Sequence, residues 1–329
     1  MEKTLKLFKK FLPAIIITTL VGLIFGFLTL LYYYIPSIPT ITFKAVIPIL
    51  TLVIFVLIVA MIITFAVKTK KLHISRVKRD APFSKFAAAL AGIMVAALFL
   101  FDFFRFVISP GLFAAQPEKI IRLFVFVPFV IYFVIQLIPK KMKRQAVILP
   151  KWLKPLCSVC AILWCVCSLV SIFRWTGLPI TNIFKLSFIA YTLLALIFFL
   201  SEAKFELLKP NHRFYMISAF LLFSYTVVVS GSIVLGKLLG TAKAVTLSEF
   251  ELICSITLGI YALSKMFAIL RTLSFLKERS STSTYSSKFS NKKHHHGHHH
   301  SHHKTTTPVT EKVTTDNVTP TDTEVKTKE

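Results

Sequence analysis

The run FLPAIIITTLVGLIFGFLTLLYYY, residues 11–34, contains no charged side chain. Crossing roughly 30 Å of hydrocarbon takes about 20 mostly apolar residues in a helix, so this stretch is long enough to span a bilayer. Lys3, Lys6, Lys9 and Lys10 precede it and look like the basic start of a signal peptide. The apolar run is too long for one, and Tyr34-Ile35-Pro36 offers no small-residue cleavage motif. We read it as an uncleaved first transmembrane helix.

Seven further apolar runs follow at residues 45–67, 86–108, 120–138, 155–173, 183–200, 214–235 and 250–270. A chain of 329 residues that is 55% hydrophobic is too apolar for an ordinary soluble domain. The sequence therefore predicts an all-α fold, a polytopic helical membrane bundle of about eight transmembrane helices. Composition changes near Arg279: beyond it Ser, Thr, Lys and His dominate and nothing could bury an apolar face. Residues 1–279 are read as the multi-pass transmembrane domain, and 280–329 as a disordered cytoplasmic tail that cannot offset its ordering entropy.

Orientation comes from the loops. Basic clusters sit at the N-terminus, at 68–85 (Lys68 to Lys85), at 140–154 (Lys140 to Lys154), at 204–213 and after the eighth run at Arg271, Lys277 and Arg279. The alternate loops hold only Lys44, Lys119 with Arg122 at a span edge, Arg174, and Lys237 with Lys243. Cytoplasmic loops carry the excess of Lys and Arg, so both termini are predicted to be cytoplasmic, in the cell (cytoplasmic) membrane. The abundance of Phe and Lys with scarce Gly fits an AT-rich bacterial genome. The net charge of +25 lies beside helix ends, where it serves topology and attraction to anionic lipids. The lipid bilayer is the expected partner, with other membrane proteins second, and no nucleic acid.

Helix–helix packing has a readable signature. Gly22 and Gly26, then Ala88, Gly92 and Ala96, then Ser232, Gly236 and Gly240 repeat small residues at four-residue spacing. That spacing aligns small side chains on one helix face and lets backbones approach; packing within the chain is favoured over oligomerisation. Pro128 should kink the fourth helix, and no proline at matching depth in the eighth supports an inverted repeat. Cys157 and Cys160 form a C-x-x-C on an apolar helix, where packing is favoured over redox or zinc chemistry.

Ionisable residues within a membrane are functional or paired by default. Asp102 and Arg105 in the third run share a helix face at i and i+3. They are the candidate intramembrane polar pair, read either as a self-neutralising anchor or as a contact in an externally open cavity. Lys185 and Lys265 are expected to snorkel to opposite interfaces, and Glu251 to lie at the external edge.

The tail holds the one conspicuous ligand tract: His294, His295, His296, His298, His299, His300, His302 and His303. Imidazole suits divalent transition metals such as Zn, Ni and Cu, so the tract is a possible metal site, with a ligand-free low-complexity tract as the alternative. The only other histidines are His73 and His212, too few for an intramembrane metal path. H-E-x-x-H, G-x-S-x-G and a phosphate-binding glycine loop are all missing from the sequence. No enzyme and no cofactor is expected. The sequence leads to a multi-pass integral membrane protein, read first as a non-enzymatic scaffold or accessory subunit. The alternatives are a secondary transporter or channel subunit with a cavity near Asp102, and a metal-responsive protein using the tail.

Overall fold

The computed structural model describes residues 2–34, 41–69, 82–108, 117–138, 152–174, 183–207, 211–239 and 249–292. Among them are eight helical rods and no strand: α1 (Glu2–Tyr34), α2 (Ile41–Lys68), α3 (Pro82–Ile108), α4 (Pro117–Leu137), α5 (Leu153–Arg174), α6 (Ile183–Glu206), α7 and α8 (Glu249–Lys292). α7 has three parts, His212–Tyr225, a π-helical turn at Thr226–Ser230, and Gly231–Leu238. Each rod contains a stretch long and apolar enough to cross a membrane. Backbone polar groups have no water partner in hydrocarbon, and a helix satisfies them internally. That is why apolar runs of this length take this form.

Burial identifies the centre of the bundle. In α8, 72% of the most apolar stretch is buried, against 17% in α1 and in α2. α8 touches α3 through Phe83–Phe267 and Phe101–Phe250, α4 through Phe133–Tyr261, α6 through Phe198–Tyr261 and α7 through Ser230–Ser255. Consecutive helices from α3 to α7 pack side by side, and α1 and α2 pair with each other and lie against α7. The last helix thus lies against four helices of the arc α3 to α7, with the N-terminal pair outside it. α3, α5 and α7 run one way and α4, α6 and α8 the other. The bundle therefore has an end that carries the start of α1 and the α8 residues nearest Ser281, called the terminus-bearing end, and an opposite end.

Small residues set the closest crossings. A Cβ at Gly26 would lie 2.5 Å from Ser232 Oγ, and one at Gly22 would lie 3.0 Å from a Val228 methyl. The four-residue spacing of α1 is therefore used inside the chain, against α7. Gly92 of α3 meets Phe133 of α4 in the same way, at 2.9 Å. Gly240 lies outside the described residues. On its other side α7 meets α8, where a Cβ at Gly259 would fall 1.9 Å from Thr226 Oγ1. Thr226 opens the π turn, so the widened backbone and the missing side chain coincide. Interhelical hydroxyl pairs lock these contacts: Thr19–Ser224 at 3.0 Å, Thr29–Thr51 at 2.9 Å, Ser201–Ser218 at 3.0 Å and Ser230–Ser255 at 2.7 Å.

The bundle is the unit Met1–Ser281, and Thr282–Glu329 is a separate unit. α8 runs to Lys292, past the composition change at Arg279. A helix already nucleated gains one hydrogen bond per added residue, so polar composition alone does not end it. α4 also continues through Pro128.

Candidate functional site

Two polar clusters lie inside the bundle, both built on α4 and α8. On α4, Glu118, Arg122, Phe126, Phe129, Phe133 and Gln136 recur at spacings of three and four, which places them on one face. On α8, Glu251, Cys254, Leu258, Tyr261 and Lys265 do the same. Each stripe is polar at both ends and apolar or aromatic between them. Arg122 and Gln136 on α4, and Glu251 and Lys265 on α8, are each about 21 Å apart along the helix axis.

The cluster at the opposite end centres on a buried ion pair between Asp102 of α3 and Arg122 of α4. Arg122 also lies over the Phe126 ring, 5.7 Å from its centroid. One turn earlier on α4, Glu118 accepts from Arg174 of α5 at 2.8 Å. Glu251 of α8 is half-buried within electrostatic range of Arg122, Asp102, Arg105 and Lys119. Three helices other than α4 thus direct charge towards its first two turns. Lys185 of α6 is buried at this level, and its Nζ donates to the carbonyl of Phe173 at 3.3 Å.

The cluster at the terminus-bearing end centres on Glu202 of α6. Its Oε1 lies 3.0 Å from Lys265 Nζ and accepts a second bond, also 3.0 Å, from Tyr261 OH. Lys265 Nζ donates as well to Gln136 Oε1 at 3.2 Å and sits 4.8 Å from the centre of the Tyr261 ring. Tyr132 OH stands 3.3 Å from Tyr261 OH. Two polar atoms here are buried with no hydrogen-bond partner, Glu202 Oε2 and Gln136 Nε2.

Between the clusters lies an aromatic layer. Phe129 packs on Trp164 at 5.1 Å and edge-on to Phe199 at 5.3 Å, and Phe133 meets Tyr261 at 5.1 Å. Phe126, Phe129, Phe133 and Phe199 are fully buried. The exterior is the reverse: Phe124, Ile108 and Ile93 are among the many large apolar side chains exposed on the bundle.

These positions revise several expectations from sequence. Asp102 is paired across helices with Arg122, whereas Arg105 is exposed one turn further along α3. Helix-face geometry permits an i,i+3 contact, but burial favours the partner that the next helix brings into the interior. Lys265 turns inward rather than snorkelling, because Glu202 and Gln136 supply oxygen acceptors there, whereas Lys185 lies buried at the edge of its span against the last-turn carbonyl of Phe173. Arg122 enters the sequence reading only as a charge at a span edge, and Glu118, Gln136, Glu202 and Tyr261 do not enter it. Part of the signal lies in polar pairs fourteen residues apart, close to four helical turns, Arg122 with Gln136 on α4 and Glu251 with Lys265 on α8; Glu202 on α6 carries no such mark. All five cysteines are free thiols; Cys157, Cys165 and Cys254 are buried, and Cys160 and Cys167 are partly so. Among the described residues no three His, Cys, Asp or Glu side chains converge as a metal site. His294, His295, His296, His298, His299, His300, His302 and His303 lie outside the described residues, as does His73. Compared with known proteins, the chain matches no family model, no curated sequence and no solved structure.

Proposed function

We propose that this protein is a secondary transporter or channel subunit of the cytoplasmic membrane, with its path along the interface of α4 and α8. One observation carries the reading. Two buried charged clusters lie at opposite ends of the same two helix faces, with an aromatic layer between them and an apolar exterior around them. Burying charge is expensive, and a well-packed apolar replacement is often as stable or more so. A bundle that needed only to hold its shape in lipid gains little from two such clusters. Polar groups facing the interior at both ends are what a path for a polar solute requires, and the rings of Phe129, Phe199 and Trp164 close it at the centre in this state. The excess of Lys and Arg in alternate loops supports a cytosolic position for both termini; on that reading the Glu202 cluster faces the cytosol and the Asp102 cluster the exterior. The chain is proposed to act without covalent catalysis.

A scaffold or accessory subunit is the second reading. It is favoured by the shallow burial of α1 and α2, whose outer faces expose Ile17, Ile24, Leu52 and Val56 to lipid or to another membrane protein. A metal-responsive role for the tail is compatible with either.

The test is electrophysiology of the full-length protein in proteoliposomes on a solid-supported membrane. The panel comprises inorganic cations, organic amines, amino acids and sugars, with counterflow measured for uncharged compounds. The expected result is a response to at least one class that disappears in Asp102→Asn/Arg122→Gln. Silence across the panel, with a membrane protein co-purifying at fixed stoichiometry, overturns transport in favour of the accessory reading.

A further inference from the structure

We infer that Glu202, Gln136 and Tyr261 form a cradle for a monovalent cation of the primary-ammonium class, occupied in this state by the ammonium of Lys265. As a statement of what moves along the path, this rests on the transport reading; as a binding site, it stands by itself.

The argument begins with what surrounds Lys265 Nζ. It has a carboxylate oxygen at 3.0 Å, an amide oxygen at 3.2 Å and an aromatic face 4.8 Å from its centroid. An ammonium offers three donors and no acceptor. Carboxylate, carbonyl and ring face are the three kinds of group that recognise it. The partners come from three helices, α6, α4 and α8, so the cradle exists only where these meet. Tyr261 OH donates to the same carboxylate oxygen that holds the ammonium, which fixes the rotamer of Glu202 independently of Lys265. Tyr132 in turn braces Tyr261. The cradle therefore has supports of its own.

A second observation points to a ligand. Glu202 is 2% exposed, yet Oε2 has no hydrogen-bond partner, and Gln136 Nε2 is likewise buried without one. A tethered ammonium satisfies only one side of the carboxylate. An untethered one, free of the lysine stem, can settle between Oε1 and Oε2 and engage both.

Charge selects the class. A single carboxylate balances one positive charge, whereas calcium-type sites gather several oxygen ligands, with more than one carboxylate as a rule. The Tyr261 face favours a weakly hydrated or organic cation over a small hard one. Exchange of the Lys265 ammonium for a free one keeps the cluster neutral at each step, so no uncompensated charge is left in the interior. Gln136 is the penultimate residue of α4, and Glu202 lies about one turn before the end of α6. Lys265 sits level with these helix ends, and once displaced its four-carbon stem lets the ammonium swing towards the terminus-bearing end. The lysine would thus act as a tethered competitor that holds the cradle until a ligand arrives.

The experiment removes the tether. Full-length Lys265→Ala is purified in detergent, and its thermal unfolding is followed in methylammonium chloride and in equimolar N-methylglucamine chloride, whose cation is too bulky for the cradle. A ligand that binds only the folded state raises Tm with its concentration. The expected result is a methylammonium-specific rise of several degrees in Lys265→Ala and none in Glu202→Gln/Lys265→Ala. The wild type should respond weakly, because its tethered ammonium competes at high effective concentration. No specific rise in Lys265→Ala, or an equal rise in the double variant, overturns the cradle. If Lys265→Ala does not fold, acetylation of Lys265 by a water-soluble reagent, read by peptide mass spectrometry, decides the matter. Reactivity should be about tenfold higher in Glu202→Gln than in the wild type, the effect of losing one charge-assisted hydrogen bond, and equal reactivity overturns the proposal. Neither readout involves transport, so failure here leaves the flux experiment standing, and failure of that experiment leaves the binding site standing.

Discussion

Asp102 of α3 and Arg122 of α4 face each other inside the bundle, with side chains only 13% and 10% exposed, and form a direct ion pair. A guanidinium cannot shed its proton, whereas an isolated carboxylate can take one up. The two single substitutions are therefore unequal. Asp102→Asn strands a cation in the interior and should lower stability by about 3 kcal/mol or more. Arg122→Gln should be milder, and the exchanged pair Asp102→Arg/Arg122→Asp should recover most of the loss. Arg105→Gln, at an exposed position, should have little effect. Thermal unfolding of the four purified variants checks the order; equal damage from both single substitutions would contradict it.

The crossing of α7 and α8 makes a sharper steric prediction. Alanine at Gly259 would place its methyl 1.9 Å from Thr226 Oγ1, with Thr226 Cβ at 3.1 Å behind it. Overpacking of this kind typically destabilises by about 1–3 kcal/mol. Thr226→Ala removes the nearer atom, so the double variant Gly259→Ala/Thr226→Ala should be more stable than Gly259→Ala alone. Strict additivity of the two changes in Tm would show that the contact is not the cause.

Much of this architecture was legible because a bilayer imposes length, apolarity and periodicity on each span separately. The run at residues 11–34 and its seven successors can be read one at a time, and each falls within a helix of the bundle to within one residue. Pairing between helices is a different kind of information. Nothing local distinguishes Arg105 from Arg122 as the partner of Asp102; the choice depends on which face of α4 turns towards α3. Lys265 misled for a related reason. A lysine within reach of an interface can snorkel, and only the arrival of Glu202 and Gln136 from two other helices makes the interior the better solvent. The π turn had a faint signal in Thr226-Val227-Val228-Val229-Ser230, a β-branched run crowded for an α-helix, but its position opposite Gly259 belongs to the tertiary structure alone.

Orientation is open to direct measurement. The excess of Lys and Arg in alternate loops predicts that positions 70 and 143 face the cytosol and that positions 44 and 176 face outward. Single cysteines at these sites, in a background with the five native cysteines replaced, should react with an impermeant maleimide in intact cells only at 44 and 176. Labelling at 143 without lysis would invert the bundle and exchange the sides assigned to the Asp102 and Glu202 clusters.

The histidine tract yields a prediction that separates binding from purpose. Eight imidazoles within ten residues, 294–303, give a high local ligand concentration, and an unperturbed imidazole with a pKa near 6.5 is mostly neutral at cytosolic pH. A peptide covering residues 291–304 should bind Ni or Zn and release it as the pH falls through about 6, since protons compete for the same nitrogen lone pairs. Deleting 291–304 from the full-length protein removes no residue of the bundle unit Met1–Ser281, so its Tm in detergent should not change. Peptide binding alone says nothing of a role, because any histidine-rich segment captures such ions. The deciding comparison is the full-length and shortened proteins in cells given excess or limiting metal. A difference in growth or in partner recovery gives the tract a metal-dependent role, and its absence reduces the tract to a tail that binds metal without consequence.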